Sequence, residues 1–108
     1  MNIYELIQQE TAGVLNNTAI IEGTRSLNYA QLFVLSGKLA QKLETAGVKK
    51  YQRIALHCKD SIEYIILSLA VLKINAVVVP IFYGASAHET EEVIKRIKAD
   101  FFVDWDKK

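Results

Sequence analysis

Hydrophobic positions are densest between residues 53 and 82, and their pattern changes twice within that stretch. Arg53-Ile54-Ala55-Leu56-His57-Cys58 is a short apolar run followed by turn formers, and Val77-Val78-Val79-Pro80-Ile81-Phe82 is β-branched without polar alternation. Both predict strands covered on two faces. Residues 62–74 between them are long enough for a helix that crosses back over a sheet. A strand–helix–strand crossover makes its two strands parallel and turns right-handed.

The flanking segments fit around this unit. Asn2-Ile3-Tyr4-Glu5 has the form of a capping box, and the helix it opens, 3–10, places Ile3, Leu6 and Ile7 on one side. It reads as a short surface helix ended by Gly13 or Asn16-Asn17. Thr18-Ala19-Ile20-Ile21-Glu22 and Arg25-Ser26-Leu27 form a hairpin around Gly23-Thr24. Asn28-Tyr29-Ala30-Gln31 is a second capping box, and Leu32, Leu35, Leu39, Leu43 and Ala46 follow at helical period, with Gly47 as C-cap. Asp60, three residues before Glu63, caps the central helix. Ser86-Ala87-His88-Glu89 caps a last helix that turns Thr90, Val93, Ile94 and Ile97 inward and pairs Glu91 with Lys95 and Glu92 with Arg96. Phe101-Phe102-Val103 begins a final strand. The expected fold is α/β: a layered unit over residues 1–108, with a short β-hairpin followed by a parallel β-α-β-α-β segment and helices on both sheet faces.

Composition narrows the function classes. The chain has 108 residues, 51% hydrophobic, which is enough for one domain with a real core. Thirteen basic against twelve acidic residues give a net charge of +1, without the basic excess of a nucleic-acid binder. Residues 62–82 could span a bilayer by length, but Glu63, Lys73, Asn75 and Pro80 interrupt them. The lone Cys58 excludes an internal disulfide and suits a reducing compartment, and the first residues lack a signal-peptide pattern; a cytoplasmic location is expected.

Candidate chemistry is sparse. Gly23-Thr24-Arg25-Ser26 has too few glycines for a phosphate loop and no following lysine. His57 and Cys58 are neighbours on a strand, so their side chains diverge; Cys58 reads as buried packing and His57 as facing solvent or the loop. His88-Glu89 lacks the second histidine of a zinc helix. The pairs Lys49-Lys50 and Lys107-Lys108 read as solvated charge. No catalytic, cofactor-binding or metal residue is assigned.

Taken together, Thr18-Ala19-Ile20-Ile21, Leu27-Asn28-Tyr29-Ala30-Gln31-Leu32, Leu39-Ala40, Leu43, Gly47-Val48, Arg53-Ile54-Ala55-Leu56, Ser61-Ile62-Glu63-Tyr64, Leu69-Ala70-Val71-Leu72-Lys73 and Ala76-Val77-Val78-Val79-Pro80 resemble the N-terminal portion of the adenylate-forming, AMP-binding ligase superfamily. That superfamily includes acyl-CoA synthetases and the adenylation domains of peptide synthetases. Asn75 stands where the family has glycine, and asparagine is the residue that best tolerates left-handed backbone after glycine. The family's proline shortly after Pro80 is replaced within Phe82-Tyr83-Gly84-Ala85.

The resemblance implies a two-step reaction. A carboxylate attacks ATP, with magnesium, to give an acyl-adenylate; the thiol of CoA or of a carrier protein then takes the acyl group. The phosphate loop and catalytic lysine of the family are absent from these residues. The resemblance therefore implies an N-terminal fragment that is silent alone and completed by the remainder of a larger ligase. The alternative from the residues is a self-standing α/β binding or interaction module; a flavodoxin-like binder is opposed by the composition of the loops after Cys58 and Phe82. A fragment with so few helices is also expected to show an open sheet edge or apolar patch, and so to self-associate.

Overall fold

In the computed structural model, which describes residues 2–105, the elements follow in the order α1 (Ile3–Thr11), β1 (Thr18–Glu22), β2 (Arg25–Asn28), α2 (Tyr29–Thr45), β3 (Arg53–His57), α3 (Ile62–Lys73), β4 (Val77–Pro80), α4 (Ala87–Ile97) and β5 (Phe101–Asp104). A single 3₁₀ turn follows α1. β1 and β2 pair antiparallel through the two-residue turn Gly23-Thr24, with Gly23 at φ 59°. The other three strands form a parallel sheet in the order β4-β3-β5, as the crossover pattern predicts.

Side chains alternate across this sheet. Ile54 and Leu56, with Val78, Phe101 and Val103, face Leu67 and Val71 of α3 and Leu39 and Leu43 of α2. On the opposite side, Thr90 and Ile94 of α4 share a crevice with His57 and Phe102. Helices therefore cover both faces. Enclosure is complete only for β3, whose Ile54, Ala55 and Leu56 are buried. The expectation that residues 77–82 are covered on both faces fails, because an outer strand of a three-stranded sheet has one neighbour. Val77 is exposed, the strand ends at Pro80 with one further bond from Ile81 N–H to Leu56 C=O, and Phe82 has left the sheet and is 79% exposed.

Two helix faces differ from the periodicity reading. On α1 the residue that docks is Tyr4, 1% exposed, while Ile3 and Leu6 lie open to solvent. Tyr4 joins Leu32, Leu69 and Ile20 in a second core cluster, and its hydroxyl lies 3.3 Å from Ser36 Oγ. On α2 the buried line runs Leu32, Ser36, Ala40, so Leu35 and Ala46 are exposed. Ser36 can lie there because its hydroxyl donates to Leu32 C=O at 2.8 Å. A search for apolar spacing passes over both residues.

The caps hold with one correction. Asn2, Asn28 and Ser86 accept from the backbone N–H three residues on, and the last two boxes are reciprocal with Gln31 and Glu89. The cap of α3 is Ser61, whose hydroxyl accepts from Tyr64 N–H; Asp60 lies one residue too early and is exposed. The expected pairs on α4 do not close among the described residues; Glu92 instead approaches His88 at 3.7 Å. Gly47 ends α2 at φ 106°. Among the described residues three other than glycine have left-handed backbone, Tyr51, Asn75 and Lys98, and each lies in the turn entering one strand of the parallel sheet.

α3 is tied at both ends to the first part of the chain. Arg25 grips the Glu63 carboxylate with two N–H groups, at 2.8 and 2.9 Å, and also bonds Glu22. Glu22 in turn accepts from Ile62 N–H at 3.1 Å, at the start of α3. At the other end the Asn2 amide donates to the carbonyls of Leu72 and Lys73. Among the described residues no helix is long and apolar enough to cross a membrane.

Candidate functional site

The parallel strands all end on one side, and there one histidine, one carboxylate and one tyrosine come together. His57 closes β3, Asp104 closes β5, and Tyr83 lies in the loop beyond β4. His57 Nε2 lies 2.9 Å from the Tyr83 carbonyl, to which it can only donate, and Nδ1 lies 3.2 Å from Asp104 Oδ1. A doubly protonated ring satisfies both partners. The imidazole also stacks on the Tyr83 ring, with centroids 5.3 Å apart. His57 thus faces the loop, as expected, and buckles it to β5 across β3.

Beside this buckle lies a cavity of about 460 Å³ lined by Cys58, Lys59, Asp60, Tyr64, Pro80, Ile81, Phe82 and Tyr83. Its walls are aromatic and aliphatic, with Lys59 and Asp60 exposed. Burial, with help from the Asp60 carboxylate and the Cys58 thiol, pushes the Tyr64 hydroxyl above the ordinary phenol range and keeps it a neutral donor. Cys58 is buried, its thiol directed to the Lys59 carbonyl at 3.4 Å. The His57 ring thus meets Tyr83 and Asp104, and the Cys58 thiol meets the Lys59 carbonyl. The arrangement can bind a flat apolar group and offer it a hydrogen bond.

The other residues weighed in the sequence lie elsewhere. Gly23-Thr24 is the hairpin turn, His88 is exposed on α4, and Glu89 is used in the cap. Lys49 and Lys50 are exposed, and Lys107-Lys108 lies outside the described residues. Tyr64, in the first turn of α3, and Tyr83, in the loop beyond β4, are site residues that the sequence reading does not single out.

Magnesium and a triphosphate find no fitting set among these residues. Glu22 and Glu63 are engaged by Arg25: the Ile62 amide and then the guanidinium hold the Glu22 carboxyl below the usual carboxylate range, and the guanidinium holds that of Glu63. Asp104 is engaged by His57, and no Gly-rich loop precedes α3 or α4.

Comparison with known proteins gives a consistent picture. The family model described as AMP-binding enzyme matches residues 7–108. A medium/long-chain-fatty-acid–CoA/3-oxocholest-4-en-26-oate–CoA ligase of Mycobacterium tuberculosis is 34% identical over 73% of this chain, which spans 14% of that protein. The nonribosomal peptide synthetase ivoA of Emericella nidulans is 32% identical over 89% of the chain, which spans 6% of it. Among solved structures, the N-terminal subdomain of Klebsiella oxytoca NpsA superposes with a TM-score of 0.91, at 23% identity, over 99% of this chain and 28% of that one, a likeness of fold.

Proposed function

Because this chain belongs to the AMP-binding enzyme family, we propose that it is the scaffold portion of an AMP-forming acid–thiol ligase and is silent by itself. The observation that carries the reading is the match over residues 7–108 in a chain that spans only 14% of a related CoA ligase. In this reading a carboxylic acid reacts with ATP to give an acyl-adenylate, and a thiol, of CoA or a carrier protein, takes the acyl group. Magnesium and the phosphates are held by residues outside this chain, and the enzyme works in the cytoplasm. What this chain's own residues do is hold the parallel sheet between α2/α3 and α4 and fix the loop at Tyr83. ATP–pyrophosphate exchange with a panel of carboxylic acids tests the silence: none is expected from this chain alone, and measurable exchange overturns the proposal.

A second reading draws on the cavity beside Tyr64, whose size suits a small aromatic ligand. Under it the chain is a self-standing binding module. An open reading frame running past Lys108 into a Gly-rich phosphate loop decides against that reading.

A further inference from the structure

The free edge of β4 has an unusual supply of hydrogen-bonding groups. In a parallel ladder alternate residues direct their backbone N–H and C=O to opposite sides. Val77 N–H donates to Gln52 C=O at 2.8 Å and Ile81 N–H to Leu56 C=O at 2.9 Å, so Val77, Val79 and Ile81 face β3. Val78 and Pro80 therefore turn their backbone groups outward, and proline has no N–H. The outer edge of the strand offers two carbonyls and one donor, the Val78 amide. Just before the strand, Ala76 N–H is already given to Val71 C=O at 3.1 Å and adds nothing.

This supply decides what can lie along the edge. A second copy related by a twofold axis lays its own β4 antiparallel, patch against the same patch. With Val78 opposite its counterpart, the two valines exchange two hydrogen bonds, and each flanking pair sets Pro80 against Ala76, neither with an available donor. With Val79 opposite its counterpart, each Val78 N–H meets a Pro80 carbonyl, and both Val78 carbonyls face proline nitrogens. Either register closes two bonds and leaves carbonyls unpaired. A strand of different sequence with N–H groups at alternate positions satisfies all three outward groups. Charge does not keep two copies apart here, since no Asp, Glu, Lys or Arg occurs from Asn75 to His88. The guard is local: by the same alternation β5 turns Phe101 and Val103 outward with both donors intact.

We propose that Pro80 bars β4 from pairing with a second copy of this chain and reserves that edge for a strand of a different segment, one that presents N–H groups to the Val78 and Pro80 carbonyls. Resting on the ligase reading, that segment belongs to the remainder of the larger enzyme. Association of this chain with itself then runs through β5 or apolar side chains, never through β4.

Amide exchange at Val78 and sedimentation over a concentration series test this. In the native chain Val78 N–H is expected to exchange rapidly at every concentration while Val77 and Val79 stay protected. Pro80→Val restores the outward donor and is expected to raise self-association at least about tenfold, with Val78 becoming protected. Pro80→Ala separates the donor from the change in strand propensity, and protection of Val77 and Val79 verifies that the sheet is intact in each variant. The strand-accepting half is probed with acetylated Thr-Val-Thr-Val-Thr and the same peptide N-methylated at alternate residues: the first is expected to slow Val78 exchange, the second to leave it unchanged. Concentration-dependent protection of Val78 in the native chain, no gain in either variant, or no effect of the first peptide overturns the proposal. None of these readouts involves catalysis, so they fail independently of the ligase reading, which pyrophosphate exchange tests.

Discussion

Asn2 Nδ2 donates to Asn75 Oδ1 at 3.0 Å, joining the N-terminal cap of α1 to the turn that enters β4. One asparagine side chain thus serves two helices, its oxygen capping α1 through Glu5 N–H at 2.8 Å and its amide bonding the last carbonyls of α3. Asn2→Ala is expected to destabilise by about 1–2 kcal/mol, more than a lone surface cap usually contributes. Asn2→Ser keeps an oxygen for Glu5 and should recover roughly half of that loss. A urea midpoint series on the two variants checks the order; equal losses would show that the cap contributes nothing, and no loss in Asn2→Ser that the α3 contacts contribute nothing.

The Asn75 position gives a separate test. With φ 61° it pays a left-handed conformational cost that glycine does not. Asn75→Gly removes this strain but also the bond to Asn2, so it is expected to be near neutral, within about 0.5 kcal/mol, whereas Asn75→Ala should cost about 1–2 kcal/mol. Thermal unfolding distinguishes the two.

Acid should loosen the hairpin from α3. Glu63 is held down first by its hydrogen bonds from Arg25, and Glu22 first by the Ile62 amide and then by Arg25. Both folded-state values lie below the unfolded value of about 4.3. Their contribution is therefore complete above that pH and is lost as pH falls through the lower folded values. Melting temperature between pH 6 and 3 is expected to fall less steeply in Glu63→Gln than in the native chain. Since these groups are partly open to solvent, added salt should shrink the difference.

Tyr4 separates packing from hydrogen bonding. Ser36 keeps its bond to the Leu32 carbonyl without the tyrosine hydroxyl, so Tyr4→Phe is expected to cost no more than about 1 kcal/mol. Tyr4→Ala empties a buried site between α1 and α2 and should cost about 3–5 kcal/mol, the range for large aromatic truncations. Denaturant unfolding with amide exchange across α1 measures both.

Much of this architecture is legible in the residues, because the strongest signals are local. Capping boxes at Asn28 and Ser86, Gly47 after α2 and the Gly23-Thr24 turn each depend on a few neighbouring atoms, and each forms as read. The failures are tertiary. Tyr4 and Ser36 meet across two helices, a pairing that no periodicity displays. Ile3 and Leu6 look like the inner face of α1 until the direction of docking is known. The buckle of His57 with Asp104 and Tyr83 joins positions 47 and 26 residues apart, so only the sheet topology brings it together.

The clamps on α3 also bear on how the chain is made. The guanidinium grip on Glu63 spans 38 positions and the Asn2–Asn75 bond spans 73. On the ribosome α1 and the hairpin emerge before α3 and until then can pack only on α2. At about 5–20 residues per second, the hairpin waits roughly two to eight seconds for the start of α3. The N-terminal quarter of the chain is thus an early product with a late partner, and the emergence of α3 is the event that closes it.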